Sequence, residues 1–364
     1  MSNGKAFDDD ALKLTTYFGE RDRLDGELVA DRLLDFYGEA EIETSVLLRG
    51  VEGFGLKHHL RTDRLLTLSE DLPLVSIAVD TRERIEAVLD DAMKLKQKGL
   101  MTLERARLLS GEIVEASLPE ELHEATKLTI YLGRQERVYR MPAFMAVCDL
   151  LYRRGIAGAT AFLGVDGTVR GERERARFFG RNRDVPMMVI AVGEGARIAR
   201  VLPELGGLLH RALLTIERVR VCKRDGELIE RPHSLPSTDE HGVEVWQKLM
   251  IYTSEAAKHE GRPIHSALIR RLREAGVAGA TSLRGIWGFH GDHAPHGDKA
   301  LTLGRHVPVT TIVVDTPVRI GEAFEIVDEL TAERGLVTSE MVPAMAAISE
   351  QERRGGLDLS RHRY

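Results

Sequence analysis

Four short motifs each occur three times, in the same order, along this chain of 364 residues. A Lys-Leu motif begins at Lys13, Lys127 and Lys248, and a glycine-rich stretch follows as RGVEGFG at 49–55, LGVDGTV at 163–169 and RGIWGFH at 284–290. An apolar run then opens at a proline, and GLMT, ALLT or GLVT ends the set. Landmarks that keep their order and nearly constant spacing indicate three tandem copies of one structural unit.

Each unit carries the same succession of strand and helix patterns. Leu12, Leu14, Thr16 and Phe18 alternate as in a half-buried strand, and a helix with an apolar stripe follows. A second strand runs into the glycine stretch, a third opens at the proline, and a second helix precedes a short fourth strand. The order β-α-β-β-α-β in about 100 residues predicts an α+β chain of three tandem ferredoxin-like units.

The spacing also predicts where the units begin and end. We expect the first unit at residues 8–110, the second at 124–222 and the third at 244–343, followed by a polar tail at 344–364. The tail ends in a run of charged residues, so we expect it to fray.

Composition excludes several classes of function. With a net charge of −6, the chain has no overall attraction for nucleic acid, and it contains no apolar run long enough to span a membrane. Its start lacks the features of a signal peptide, so we expect a cytoplasmic protein. The two cysteines, Cys148 and Cys222, lie in no redox or metal motif, and we expect them to be buried apolar residues.

The repeated motifs resemble those of a known family. GVAGATSLRGIWGFHG at 276–291, LLRGVEGFG in the first unit and GIAGATAFLGVDG in the second resemble the signature of an uncharacterised family, domain of unknown function 190. That family is similar in fold to the PII signalling proteins, which are trimers that bind small effectors, often adenine nucleotides, between neighbouring subunits. The resemblance implies that this one chain supplies all three subunits of such a ring and is a monomeric pseudo-trimer. Relatives occur beside fluoride-channel genes, which implies a link to ion transport.

The glycine stretches of the first and third units are candidate ligand sites. Glycines permit close backbone approach and anion-binding nests, arginines hold phosphate or carboxylate groups, and a phenylalanine can stack on a base. The candidate residues are Arg49, Gly50, Gly53, Phe54, Gly55, Arg284, Gly285, Gly288 and Phe289. The alternative is that the glycines only turn the chain while Phe54 packs in a core. The second unit has Leu163 and Thr168 in place of the arginine and phenylalanine, so we expect its site to have lost these ligand groups.

Two loops suggest other roles. The second unit's loop at 170–183 holds six arginines, which suit an acidic partner, although exposed charge commonly means solvation alone. His290, His293 and His296 in the third unit are candidate ligands for a divalent metal such as Zn²⁺.

Three functions remain open at this point. The leading hypothesis is a non-catalytic PII-like sensor that binds a small molecule, with an adenine nucleotide or another anion as the candidate ligand. It would act on a membrane transporter or another protein partner through the long loops. The alternatives are a metal-dependent hydrolase that uses the histidine loop, and a structural adaptor without any ligand. No catalytic triad, H-E-x-x-H or paired-carboxylate motif supports an enzyme.

Overall fold

A computed structural model describes residues 8–55, 61–62, 71–95, 98–110, 125–169, 171–175, 185–209, 213–290, 295–297, 307–349 and 353–363. The described chain is strand-rich and contains six helices, two in each repeat. The elements of the first unit are β1 (Asp8–Gly19), β2 (Arg23–Leu24), β3 (Glu27–Leu28), α1 (Val29–Glu39), β4 (Thr44–Phe54), β5 (Arg61–Thr62), β6 (Pro73–Thr81), α2 (Arg82–Lys94) and β7 (Gly99–Ser110).

The second and third units repeat this order. The elements of the second are β8 (Thr126–Gly133), β9 (Arg137–Val138), β10 (Met141–Pro142), α3 (Ala143–Arg153), β11 (Gly158–Leu163), β12 (Asp166–Val169), β13 (Glu172–Arg173), β14 (Pro186–Gly193), α4 (Gly195–Leu208), β15 (Leu213–Arg218), β16 (Arg220–Arg224) and β17 (Glu227–Leu228). Those of the third are β18 (Trp246–Ser254), β19 (Lys258–His259), β20 (Arg262–Pro263), α5 (Ile264–Glu274), β21 (Ala280–Arg284), β22 (Trp287–His290), β23 (His296–Gly297), β24 (Pro308–Asp315), α6 (Pro317–Leu330) and β25 (Leu336–Val342). The tail adds β26 (Ala344–Ile348) and β27 (Arg353–Gly356).

Each unit builds a four-stranded antiparallel sheet with the same strand order. In the first unit the order is β4-β6-β1-β7, and the matching orders are β11-β14-β8-β15 and β21-β24-β18-β25. The two helices of a unit cover one face of its sheet, because their apolar stripes and the alternate strand residues form one core per unit. The mixed α+β class predicted from the sequence is confirmed.

The second face of every sheet turns toward a core that all three units share. Ile77, Met188 and Ile312, one from each unit, lie in this single buried cluster. A sheet face left open in one unit is therefore covered by the other two, which removes a large apolar surface from water.

Strand pairing joins the units in a closed cycle. The end of β4 in the first unit pairs with β21 of the third, β22 of the third pairs with β11 of the second, and β12 of the second pairs with β4 of the first. Each glycine stretch thus lies in, or leads into, a strand that crosses to the neighbouring unit. These pairings satisfy backbone groups that would otherwise be exposed at sheet edges.

The tail differs from the expectation that it frays. Ala344–Ile348 pairs with the first unit's strand β7, and Arg353–Gly356 pairs back onto it. Ser360 is buried, donates its amide N–H to the carbonyl of Pro343 at 2.8 Å, and accepts a hydrogen bond from Arg105 at its own carbonyl. Charge at the end of the chain suggested solvation, but the backbone pairing that holds this segment cannot be read from local composition.

Candidate functional site

Except for Gly55, the glycines of the three stretches lie where neighbouring atoms leave no room for a side chain. A Cβ atom at Gly53 would lie 2.8 Å from the carbonyl oxygen of Ala280, and one at Gly288 would lie 2.2 Å from that of Ala159. Gly167 of the second unit keeps the same arrangement against Ser45. Close contact between units therefore explains these glycines, including those of the unit that has lost the arginine and phenylalanine.

The first glycine of each stretch also contacts the proline that opens the third strand. A Cβ atom at Gly50 would lie 2.7 Å from Cγ of Pro73, and one at Gly285 would lie 2.9 Å from Cγ of Pro308. The second unit has the same contact between Gly164 and the carbonyl of Pro186. The glycine stretch and the proline, two of the four repeated sequence motifs, thus recur together because they are in contact.

The predicted arginines are held in ion pairs near their own strands. Arg49 contacts Glu20 at 2.8 Å, and Arg284 contacts Glu255 at 2.6 Å. The predicted phenylalanines are buried in the neighbouring unit: Phe54 belongs to the core of the third unit, and Phe289 packs edge-on against Tyr152 of the second.

A cavity of about 170 Å³ lies between the first and third units, and we call it the first–third cleft. Phe54 and Gly55, both predicted as ligand-binding residues, are part of its wall. Apolar side chains from both units make up most of the remaining wall: Tyr17, Phe18, Pro73, Leu100, Ala278, Ala280, Ile312, Val314 and Ile348. Ile348 belongs to the ordered tail, so the tail contributes to the cleft.

Three charged residues give the cleft a polar side. Arg61 lies 3.1 Å from Asp71 and 4.0 Å from Asp22, and Lys98 lies 3.1 Å from the buried Asp22. The Asp22 carboxylate also accepts a hydrogen bond from the amide of Gly19 at 2.9 Å. Two basic side chains therefore reach the same cavity while neutralised by carboxylates of their own unit. Sequence reasoning missed Asp22, Arg61 and Lys98, because they come from separate segments of the chain and belong to no motif.

The histidine prediction is only partly covered by the described residues. Nδ1 of His290 lies 3.9 Å from Oδ1 of Asp225. His296 lies opposite Gly288 in the antiparallel pairing of β23 with β22. His293 lies outside the described residues. Within the described ranges, one group of three His, Cys, Asp or Glu residues has its possible metal-ligand atoms within 4.8 Å of one another. That group contains no histidine.

Part of the second unit's basic loop is docked on the chain itself. Arg173 contacts Asp31 at 3.0 Å, Asp166 at 2.6 Å and also Asp35, while Arg175 contacts Asp31 at 2.9 Å. Burial lowers the pKa of Arg173, but the hydrogen bonds that its guanidinium donates to these carboxylates outweigh burial and raise the pKa. These two arginines therefore fasten the second unit to helix α1 of the first.

A ring of six buried charges, which sequence reasoning missed, lies where the three sheets meet. We call it the lysine–glutamate ring, and its members alternate in the order Lys13, Glu217, Lys127, Glu340, Lys248 and Glu104. Within the units the ion pairs measure 3.3, 3.0 and 3.1 Å, and each lysine also contacts a glutamate of another unit. All six side chains are at most 7% exposed.

The ring follows from strand register. Lys13, Lys127 and Lys248 lie directly opposite Glu104, Glu217 and Glu340 on the adjacent strands of their own units. The signal was present in the sequence, because each Lys-Leu motif starts with the lysine and each GLMT-like motif is followed two residues later by the glutamate.

Proximity of opposite charges decides most of the protonation behaviour of the ring. Burial alone would raise the pKa of Glu104, but the ammonium groups of Lys13, Lys248 and Lys127 hold it well below its usual range. Burial would likewise lower the pKa of Lys127, but Glu217 and Glu340 raise it well above normal. For Lys13 burial prevails, and its pKa is lowered.

Comparison with known proteins places the three repeats in one family. The DUF190 family, described as "Uncharacterized ACR", matches at residues 11–108, 125–221 and 246–344. The chain belongs to the DUF190 family. It is 33% identical over 95 residues to a UPF0166 protein of Aquifex aeolicus, a match that covers 26% of this chain and 88% of that protein. It is 27% identical over 103 residues to a UPF0166 protein of Methanocaldococcus jannaschii, covering 28% of this chain and 94% of the relative.

These relatives have about the length of one repeat, so this DUF190 chain carries three times the unit that they carry once. Among the helices that the structure describes, none combines the length and apolarity needed to cross a bilayer.

Proposed function

We propose that the protein is a non-catalytic, PII-like sensor that binds a small molecule in the first–third cleft and regulates a protein partner. In this proposal each repeat is a ferredoxin-like unit, and the three repeats form a pseudo-trimer within one chain. The strand order common to the three sheets and their cyclic pairing support this arrangement.

The observation that carries the proposal is the cavity at Phe54 and Gly55. A cavity of about 150 Å³ is enough to hold one benzene ring, so about 170 Å³ takes in at least one ring of a nucleotide base. Arg61 and Lys98, at 25% and 44% side-chain exposure, are the basic groups that phosphates extending from the cleft would meet. An adenine nucleotide is therefore the first ligand to test, with its base among the apolar residues and its phosphates toward Arg61 and Lys98.

Binding is best measured by thermal shift and isothermal titration calorimetry with ATP, AMP, inorganic phosphate and Zn²⁺ as separate probes. Gly55→Trp is the decisive variant, because no atom lies within 4 Å of a Cβ at this position and the new side chain fills the cleft without a backbone clash. We expect ATP or AMP to raise the melting temperature of the natural protein and to leave that of Gly55→Trp unchanged.

Gly207→Trp is the matched control, since its Cβ also meets open space and it lies on helix α4, away from the cleft. Nucleotide binding that survives Gly55→Trp would reject the cleft as the site. Stabilisation by Zn²⁺ alone would favour the histidine loop, and no response to any probe would favour a ligand-free adaptor.

A further inference from the structure

The second unit carries an unusual hairpin between its first strand and first helix. In all three units two short strands, joined by a two-residue turn, precede this helix. The turn is Asp25-Gly26 in the first unit and Glu260-Gly261 in the third, but it is Tyr139-Arg140 in the second.

This turn holds two residues in a backbone conformation that favours glycine. Tyr139 has φ 46° and Arg140 has φ 69°, whereas the first and third units place Gly26 and Gly261 at the second turn position with φ 88° and 79°. Turns of this kind need positive φ at both central residues, for which Asn-Gly and Asp-Gly are the favoured pairs. The first turn position has positive φ in all three units, so the second unit accepts additional backbone strain at Arg140, where its two sister units have glycine.

The same turn exposes apolar surface to solvent. Tyr139 is 95% exposed and Met141 is 38% exposed. The corresponding residues are Asp25 and Glu27 in the first unit and Glu260 and Arg262 in the third. Neither the strain nor the exposed aromatic ring benefits the folded chain.

Charge distinguishes the hairpin as well. Residues 133–142 hold three arginines and one glutamate, a net charge of +2, whereas the equivalent residues 19–28 hold two arginines and four carboxylates, a net charge of −2. The third unit's residues 254–263 are neutral, with two basic and two acidic side chains besides an uncharged histidine. Only the second hairpin combines positive charge with exposed apolar side chains.

We propose that this hairpin is a docking site for a protein partner whose surface carries a small apolar pocket ringed by carboxylates. Tyrosine and arginine dominate the binding energy of many protein interfaces, because both bring a large flat contact area together with hydrogen-bond donors. Tyr139 fills the pocket, and Arg137 and Arg140 pair with the surrounding carboxylates. The inference is independent of the ligand in the first–third cleft, because no hairpin residue lines that cavity.

The test begins with a photo-crosslinking amino acid, p-benzoylphenylalanine, at position 139 of the full-length chain in its native cells. The same residue at position 25 of the first unit's hairpin is the matched control. We expect a protein adduct from position 139 that is absent from position 25.

The adduct protein is then purified, and its affinity is measured for the natural chain and for Tyr139→Asp/Arg140→Gly, which converts the hairpin into the form of the first unit. We expect at least about a tenfold loss of affinity in the variant, and weaker binding of the natural chain at higher salt. The variant should melt no lower than the natural protein, because glycine relieves the strain at position 140, so lost binding cannot be ascribed to unfolding.

Equal adducts from positions 139 and 25, or unchanged affinity of the variant, would overturn the proposal. So would an adduct with a second copy of this chain, or binding to anionic phosphatidylserine vesicles that the double substitution abolishes, since each identifies a different occupant.

Discussion

Removing one lysine from the lysine–glutamate ring should destabilise the protein strongly. Lys127 is buried and contacts both Glu217, at 3.0 Å, and Glu340. In Lys127→Met each of these carboxylates keeps one remaining ammonium partner, Lys13 or Lys248, so the ring is left with one unbalanced negative charge. Breaking a buried ion pair from one side typically costs about 3–5 kcal/mol. Because neither carboxylate loses all its partners, we expect about 3 kcal/mol.

A second substitution separates charge balance from lost packing. Lys127→Met/Glu217→Met leaves the other four charges as a neutral chain in which every member keeps a partner. We therefore expect the double variant to lose less free energy of unfolding than the sum of the two single variants, with a coupling of about 1–3 kcal/mol.

Urea unfolding monitored by fluorescence of the buried Trp246, with a check that refolding recovers the signal, measures these changes. Lys94→Met is the matched control, because Lys94 pairs with Asp91 at 2.8 Å on the exposed face of helix α2 and should leave stability unchanged. A cost below about 1 kcal/mol for Lys127→Met, or strictly additive single effects, would refute the reasoning that buried charge balance holds the three sheets together.

Three further outcomes follow from the structure. The free energy of unfolding should fall as the pH drops below 4.5, the ordinary pKa of glutamate, because Glu104 has a depressed pKa in the folded state and its stabilising contribution is lost on protonation. A series of urea midpoints at different pH values measures this fall, and midpoints that do not change with pH would contradict it. Gly288→Ala should lower the melting temperature, because the new Cβ atom would clash with a neighbouring carbonyl oxygen. Gly321→Ala, in open space on helix α6, should instead raise the free energy of unfolding by about 0.5–1 kcal/mol. Equal effects of the two substitutions would show that the contact between units is not the reason for glycine at position 288. Cys148 and Cys222 are buried thiols whose pKa is raised by burial, to about 12 for Cys222, so both should react with Ellman's reagent only after unfolding, and rapid labelling of the native protein would show that they are accessible.

Local pattern was enough to predict the repeats and their elements. Helix α2 was readable from its apolar stripe, and its capping residue Thr81 accepts a hydrogen bond from the amide of Arg84 at 3.5 Å. Such features depend on residues a few positions apart, which the sequence displays directly. The glycine stretches were visible too, and Phe54 and Gly55 do lie at the first–third cleft.

The sequence by itself therefore determined that the chain is of the mixed α+β class and repeats one unit three times. Tertiary structure decided what the charged residues do. In Lys13-x-Thr15-x-Tyr17, alternation makes one strand face polar, and a polar face ordinarily predicts exposure to solvent. Here that face is buried because three such faces converge, and Lys13 meets Glu217 across 204 residues of chain. A period-two pattern records which side of a strand a residue takes, and only the packing of the three sheets decides whether that side meets water or another unit.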